Sequence, residues 1–138
     1  MQLGHNSKRD LIKRVPLFSS ASRKELEEIA SLADEIDLPE GKELIAEGDT
    51  GHEFFVLIEG TADVERGGKK VASIGPGDFF GEIALIARTP RNATIRTTSP
   101  VRALVITDRA FRQLLDHSPQ IAVGVLTALA ERLAPTTL

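Results

Sequence analysis

The chain contains no cysteine, tryptophan or tyrosine and only one methionine among its 138 residues. Without cysteine there is no disulfide framework, no thiol nucleophile and no thiolate metal site. Its histidines, His5, His52 and His117, lie at no metal-ligating spacing, so they read as solvated side chains and no metal is expected. No apolar run reaches membrane-spanning length, and Met1-Gln2-Leu3-Gly4-His5 carries no signal-peptide core. Nor is there a surplus of positive charge. Lys and Arg number 17 against 20 Asp and Glu, a net charge of −3, and they are scattered rather than gathered into a stripe. These absences predict a soluble cytoplasmic protein that contacts neither membrane nor nucleic acid directly.

What is present is 41% hydrophobic content in a length that suits one domain, residues 1–138, able to bury a core. Residues 1–34 read as N-terminal helices. Ser7-Lys8-Arg9-Asp10 opens a short one that Pro16 closes, with Lys8, Arg9, Lys13 and Arg14 as a solvated face. Ser22-Arg23-Lys24-Glu25 is a capping box ahead of Leu26, Ile29, Ala30 and Ala33 at helical spacing. Residues 35–107 change character: Phe54 to Ile58, Thr61 to Arg66, Lys70 to Ile74 and Val101 to Ile106 are short apolar or alternating runs punctuated by glycines. Gly67-Gly68 reads as a hairpin turn and Gly75-Pro76-Gly77-Asp78 as a connection. From 108 to 134 the pattern is helical again. Phe111, Leu114 and Leu115 share a face, and Ser118-Pro119 supplies an N-cap and a first helical position. The last helix carries Ala122, Leu126, Leu129 and Leu133 as one stripe, widened by Ile121 and Val125, so it has two surfaces to cover. The fold class expected is mainly β with flanking helices, a β jelly roll or barrel.

The run Phe80 to Thr94 carries the chemistry. After Pro90, Arg91 to Thr98 reads as a strand, and period 2 places Arg91 on the same face as Ala93 and Ile95, with Asn92, Thr94 and Arg96 on the other. A guanidinium directed inward needs an anion to meet it, and its planar fork suits a phosphate or carboxylate; Glu82 is the candidate when no ligand is bound. Gly81 ends a strand-like stretch, and Glu82 to Ala87 reads as one helical turn whose first N–H groups lack intrahelical partners. Glu82, a poor neighbour for phosphate, is a good acceptor for a sugar hydroxyl. Together the parts describe a phosphate bonded to a ribose.

This run resembles the phosphate-binding cassette of cyclic nucleotide-binding domains, and is especially close to that of the regulatory subunits of cAMP-dependent protein kinase. A second stretch upstream, Leu44-Ile45-Ala46-Glu47-Gly48-Asp49-Thr50-Gly51-His52-Glu53-Phe54-Phe55-Val56-Leu57-Ile58-Glu59-Gly60, resembles the family's other signature. Two motifs in the right order are far more specific than either alone, and the resemblance runs from about Val15 to the last helix. It implies that Glu82 accepts from the ribose 2′-hydroxyl, with the Gly81 backbone against the same sugar, in a cassette that begins at Phe80. It implies that Arg91 pairs with the cyclic phosphate, helped by the backbone N–H groups of Ala84 and Asn92, and that Ala93 is small enough for close approach. Ile83 and Val71 become candidates for apolar contact with base or sugar, and Leu129, Arg132 and Leu133 candidate lid residues, Arg132 stacking on the base.

Two positions depart from the family pattern. Asn92 stands where Ala, Ser, Thr or Gln is usual and where a hydroxyl is associated with cGMP preference, so cAMP and cGMP both stay open as ligand. Arg88 stands where Gly is common and reads as a surface residue.

The reading is a non-enzymatic sensor with no cofactor, whose ligand is cAMP or cGMP and whose partner is an unidentified effector protein or domain. A homodimer through the last helix is the alternative use of its stripe. A metal-dependent enzyme on a cupin-like barrel lacks its H-x-H pair. A regulator of the catabolite-activator type would need a helix-turn-helix, for which Pro135-Thr136-Thr137-Leu138 leaves no room unless the chain is a fragment.

Overall fold

A computed structural model describes residues 5–15, 18–81 and 88–133. Two compact units are present, Ala33–Asp108 and a helical one formed by Met1–Leu32 with Arg109–Leu138. The first holds eight strands: β1 (Asp34–Leu38), β2 (Glu43–Ile45), β3 (Glu53–Glu59), β4 (Ala62–Arg66), β5 (Lys69–Ile74), β6 (Phe79–Phe80), β7 (Thr94–Thr97) and β8 (Val101–Thr107). All pairings are antiparallel, and they form two four-stranded sheets of order β1-β8-β3-β6 and β2-β7-β4-β5. This is the jelly-roll form of the expected fold; among the described residues no strand pairing joins the sheets into a closed barrel.

The central strands β3 and β8 read as unbroken apolar runs because both parities are buried, from Phe54 to Leu57 and from Ala103 to Ile106. Alternate residues then divide between faces. Phe55, Phe80 and Val105 of one sheet meet Ala62 and Ile95 of the other, with Ile36, Leu44, Ile45, Val64 and Ile74 packed against them. The β3–β6 register sets Phe55 opposite Phe80, and their rings stack with centroids 5.1 Å apart. Truncating a buried phenylalanine costs about 3–5 kcal/mol, so this pair anchors β6, the strand that leads into Gly81. The Gly67-Gly68 turn closes the β4–β5 hairpin with φ of 59° and 79°, the left-handed geometry a two-residue turn requires.

Short β2 pairs with β7, and one side chain fixes the turn that leads into it. Thr97, only 2% exposed, donates from Oγ1 to the Pro39 carbonyl at 2.7 Å and accepts from the Lys42 N–H at 2.8 Å. Backbone bonds Thr97 N–H to Lys42 O and Gly41 N–H to Thr97 O complete the clasp on the β1–β2 turn. Thr97→Val keeps the shape and strands both partners, so a loss of about 2 kcal/mol is expected in urea denaturation. Thr97→Ser should recover most of it. A Thr97→Val loss under about 0.5 kcal/mol would show the clasp to be irrelevant to stability.

The helical unit contains α1 (His5–Arg14), α2 (Arg23–Leu32), α3, which begins at the boundary residue (Asp108–His117), and α4 (Pro119–Leu133). The capping box forms as read: Ser22 N–H donates to Glu25 Oε1 at 2.8 Å and Glu25 N–H to Ser22 Oγ at 3.1 Å. Ser118 caps α4, accepting from the Ile121 N–H at 3.2 Å. Lys8 and Arg9, expected on a solvated face, instead reach α2. Lys8 Nζ donates to the Ala30 carbonyl at 3.2 Å and Arg9 pairs with Glu27 at 3.1 Å, because α1 and α2 pack closely enough for long side chains to cross. Lys13 and Arg14 are exposed. In α4 the covered face is that of Ile121 and Val125, each 2% exposed, whereas Leu126 of the expected stripe is 66% exposed.

Candidate anion-binding site

Two glycine-bearing segments build the site around one arginine. Arg91 alternates with Asn92 and Ala93 in the expected way: Arg91 and Ala93 are 6% and 3% exposed, and Asn92 faces solvent. Regular strand β7 starts only at Thr94, so Arg91 lies just before it, in a segment tied down by other means. The Arg91 N–H donates to the Asp49 carbonyl and its carbonyl accepts from the Gly48 N–H, both at 2.8 Å. Gly48, at φ 89°, makes the turn that offers these two groups side by side. The upstream signature and the arginine are therefore one structure in space.

The guanidinium is oriented by backbone. Nη1 donates to the Gly81 carbonyl at 2.9 Å and Nη2 to the Glu53 carbonyl at 2.7 Å. Gly81 has φ 97°, a conformation that L side chains rarely adopt, and a Cβ there would lie 2.8 Å from both Arg91 Nη1 and the Glu53 oxygen. Only glycine brings this carbonyl onto the arginine. A charged fork held by carbonyl dipoles on two sides keeps its orientation without a mobile side chain, the arrangement that favours planar recognition of an oxyanion.

A hollow of about 290 Å³ opens beside the arginine, lined by Glu43, Leu44, Ile45, Ala46, Asp49, Thr50, His52 and Glu53 as well as Arg91. Three of those residues are acids, so this side repels a phosphate. Phe80, Gly81, Asn92, Ala93 and Val71 are absent from its lining.

The remaining sequence candidates fall as follows. Phe80 is buried at 7% exposure and serves the core through its stack on Phe55. Asn92 accepts from Arg66 Nε at 3.1 Å through its carbonyl, leaving the amide side chain at the surface. Val71 is 52% exposed on β5, whose only described neighbour is β4. Glu82, Ile83 and Ala84 lie outside the described residues, as do the side chains of Arg132 and Leu133; Leu129 is half-buried on α4. Arg88 is exposed as expected and has φ 57°, the left-handed region in which glycine is comfortable. Sequence reasoning passed over Asp49, Gly51 and Glu53 as neighbours of Arg91. Their signal is the upstream motif itself, whose residues 48–53 lie against Arg91.

The structure thus combines an antiparallel jelly roll with a buried arginine oriented by two backbone carbonyls. The family model described as the cyclic nucleotide-binding domain matches residues 35–118. The chain belongs to that family. It is 36% identical over 106 residues to the cAMP-dependent protein kinase regulatory subunit of Hypocrea atroviridis, covering 77% of this chain and 23% of that protein. The fold superposes with a TM-score of 0.84 on cAMP-bound PfPKA-R, at 26% identity over 95% of this chain and 45% of that one. It also superposes on the Thermus thermophilus catabolite activator protein, with a TM-score of 0.80 and 26% identity over 88% of this chain and 59% of that one. The chain spans about a quarter of the length of the curated relatives it matches. Among the described residues no helix is long and apolar enough to cross a membrane, and no group of three or more His, Cys, Asp or Glu is placed to hold a metal ion.

Proposed function

We propose that this domain binds a cyclic nucleotide, cAMP in the first place, and works as a non-enzymatic sensor for an effector protein or domain in the cytoplasm. The observation that carries the reading is the buried Arg91 fork, aimed by the Gly81 and Glu53 carbonyls within the segment that resembles the family's cassette. The phosphate approaches from the cassette side, away from the acid-lined hollow, and pairs with Arg91 and the N–H groups of Ala84 and Asn92. Glu82 takes the ribose 2′-hydroxyl against the Gly81 backbone. Ile83, Ala93 and Val71 supply apolar contact, and Leu129, Arg132 and Leu133 the lid.

The output follows from what else the segment 51–53 touches. Glu53 accepts from Arg91, while the His52 carbonyl accepts from the Asp108 N–H, the first residue of α3, at 2.7 Å. A ligand that competes for the guanidinium shifts this segment and with it the start of the C-terminal helices, biasing a two-state rearrangement. Calorimetric titration with cAMP and with cGMP tests binding, and hydrogen exchange over 108–133 with and without ligand tests the switch. Absence of binding to either nucleotide at millimolar concentration ends the proposal.

Base preference is assigned to position 92. Because the Asn92 side chain is exposed and the proposed phosphate contact uses its N–H, Asn92→Ala should leave cAMP affinity within about threefold of wild type. Asn92→Thr should raise cGMP affinity relative to cAMP, by the hydroxyl pattern that the family resemblance implies. If Asn92→Ala instead lowers cGMP affinity alone, the amide reads guanine and cGMP is the ligand.

A second reading rests on the likeness to the Thermus catabolite activator protein: the domain as the sensor part of a transcription regulator. Salt-dependent affinity of the parent protein for DNA would favour it.

A further inference from the structure

We infer that Gly51 is a positioning residue for the Arg91 guanidinium and, through it, for the ligand's anionic group; the second half of this inference rests on the cyclic nucleotide reading. Gly51 differs from the site's other glycines in why it must be small. Gly48 and Gly81 have φ of 89° and 97°, so their conformation excludes a side chain, and around Gly48 there is open space. Gly51 has no such φ, so the left-handed conformation is not what keeps it glycine. What excludes a side chain is Arg91. A Cβ at position 51 would stand 2.6 Å from Cζ, 2.7 Å from Nε and 2.9 Å from Nη1, all atoms of one guanidinium.

The planar head thus lies directly on the Gly51 backbone, with the Glu53 and Gly81 carbonyls fixing its two terminal nitrogens. The three nearest atoms in the way belong to the far end of a long side chain. The fold can therefore accommodate a larger residue at 51 by moving Arg91, and that movement stretches or breaks the bonds to Gly81 and Glu53. Replacing Gly51 costs folding at most what those two bonds contribute, and costs Arg91 its orientation.

The test is a double-mutant cycle on the 138-residue chain. Gly51→Ala and Gly51→Val are each made with Arg91 and with Arg91→Lys. The readouts are cAMP affinity by calorimetry, the melting temperature without ligand, and the Arg91 Nε–H NMR resonance, assigned by its loss in Arg91→Lys. Gly51→Val should weaken cAMP binding about tenfold or more, the scale of one charge-assisted hydrogen bond lost, with Gly51→Ala intermediate. Its melting temperature should fall by no more than that of Arg91→Ala, which loses the same two bonds, and the Nε–H resonance should move in the ligand-free protein. With Arg91→Lys, whose slender chain has no planar head over position 51, Gly51→Val should weaken binding by less than about twofold further. An unmoved Nε–H resonance, wild-type affinity in Gly51→Val, or an equal loss in both backgrounds overturns the inference. If wild type binds no cyclic nucleotide the functional reading fails, while the ligand-free resonance still decides whether Gly51 positions Arg91.

Discussion

Arg91→Ala is expected to lower cyclic nucleotide affinity by at least about a hundredfold, the largest functional effect of any single change in this domain. A bidentate guanidinium–phosphate contact comprises two charge-assisted hydrogen bonds, each worth about 1.5–3 kcal/mol, and every 1.4 kcal/mol is a factor of about ten. The arginine also has structural partners. Its removal deprives the Gly81 and Glu53 carbonyls of their donor, so about 1–3 kcal/mol of stability should be lost as well. Arg91→Lys separates the two contributions. It keeps the charge but presents a point donor instead of a fork, and should bind about tenfold more weakly than wild type. Calorimetry on the three proteins, at a temperature where all are folded, checks the series. Binding by Arg91→Ala within about threefold of wild type would remove Arg91 from the site altogether.

A large effect on stability is expected at Gly60, a residue that makes no contact with Arg91. This residue closes the upstream signature with φ 91°, and a Cβ there would collide with the Pro100 carbonyl oxygen and come within 2.9 Å of Val101 Cγ2 and 3.0 Å of Ser99 Oγ. Backbone oxygen cannot swing aside as an arginine head can. Gly60→Ala therefore combines left-handed strain with overlap against a fixed group, and a loss of about 3 kcal/mol or more is expected. Gly67→Ala is the control, since Gly67 also has positive φ, 59°, but nothing within 4 Å of a built Cβ. It should cost only about 1 kcal/mol. Equal losses for the two in urea denaturation would show that conformation alone, and not the Pro100 contact, governs Gly60.

These substitutions separate what was readable along the chain from what was not. Period-2 parity put Arg91 with Ala93 and Ile95, and all three are buried, because side-chain alternation is a local property of extended backbone. The capping box at Ser22 and the Ser118 cap were equally legible, being set by residues three apart. Short β1, β2 and β6 were harder to see. Each is too brief to show a period and exists because a longer strand supplies its hydrogen bonds: β8 for β1, β7 for β2 and β3 for β6.

The site shows the same division. That Arg91 turns inward follows from residue types and local spacing. That Lys8 and Arg9 turn from solvent to α2 depends on how α1 and α2 pack, and that α4 buries Ile121 and Val125 but leaves Leu126 exposed is likewise settled by tertiary contact and not by the stripe.

By itself the sequence determined the order of elements, the family and the inward direction of Arg91, since each is encoded in adjacent residues or in a motif. Only the tertiary structure decided what holds that residue. Gly48, Asp49, Gly51 and Glu53 surround Arg91 from some 40 positions upstream because β2, β3 and β7 belong to sheets whose pairing order is not written in any local pattern. Contacts between distant segments arise when strands choose partners, and that choice is made by the burial of the whole core.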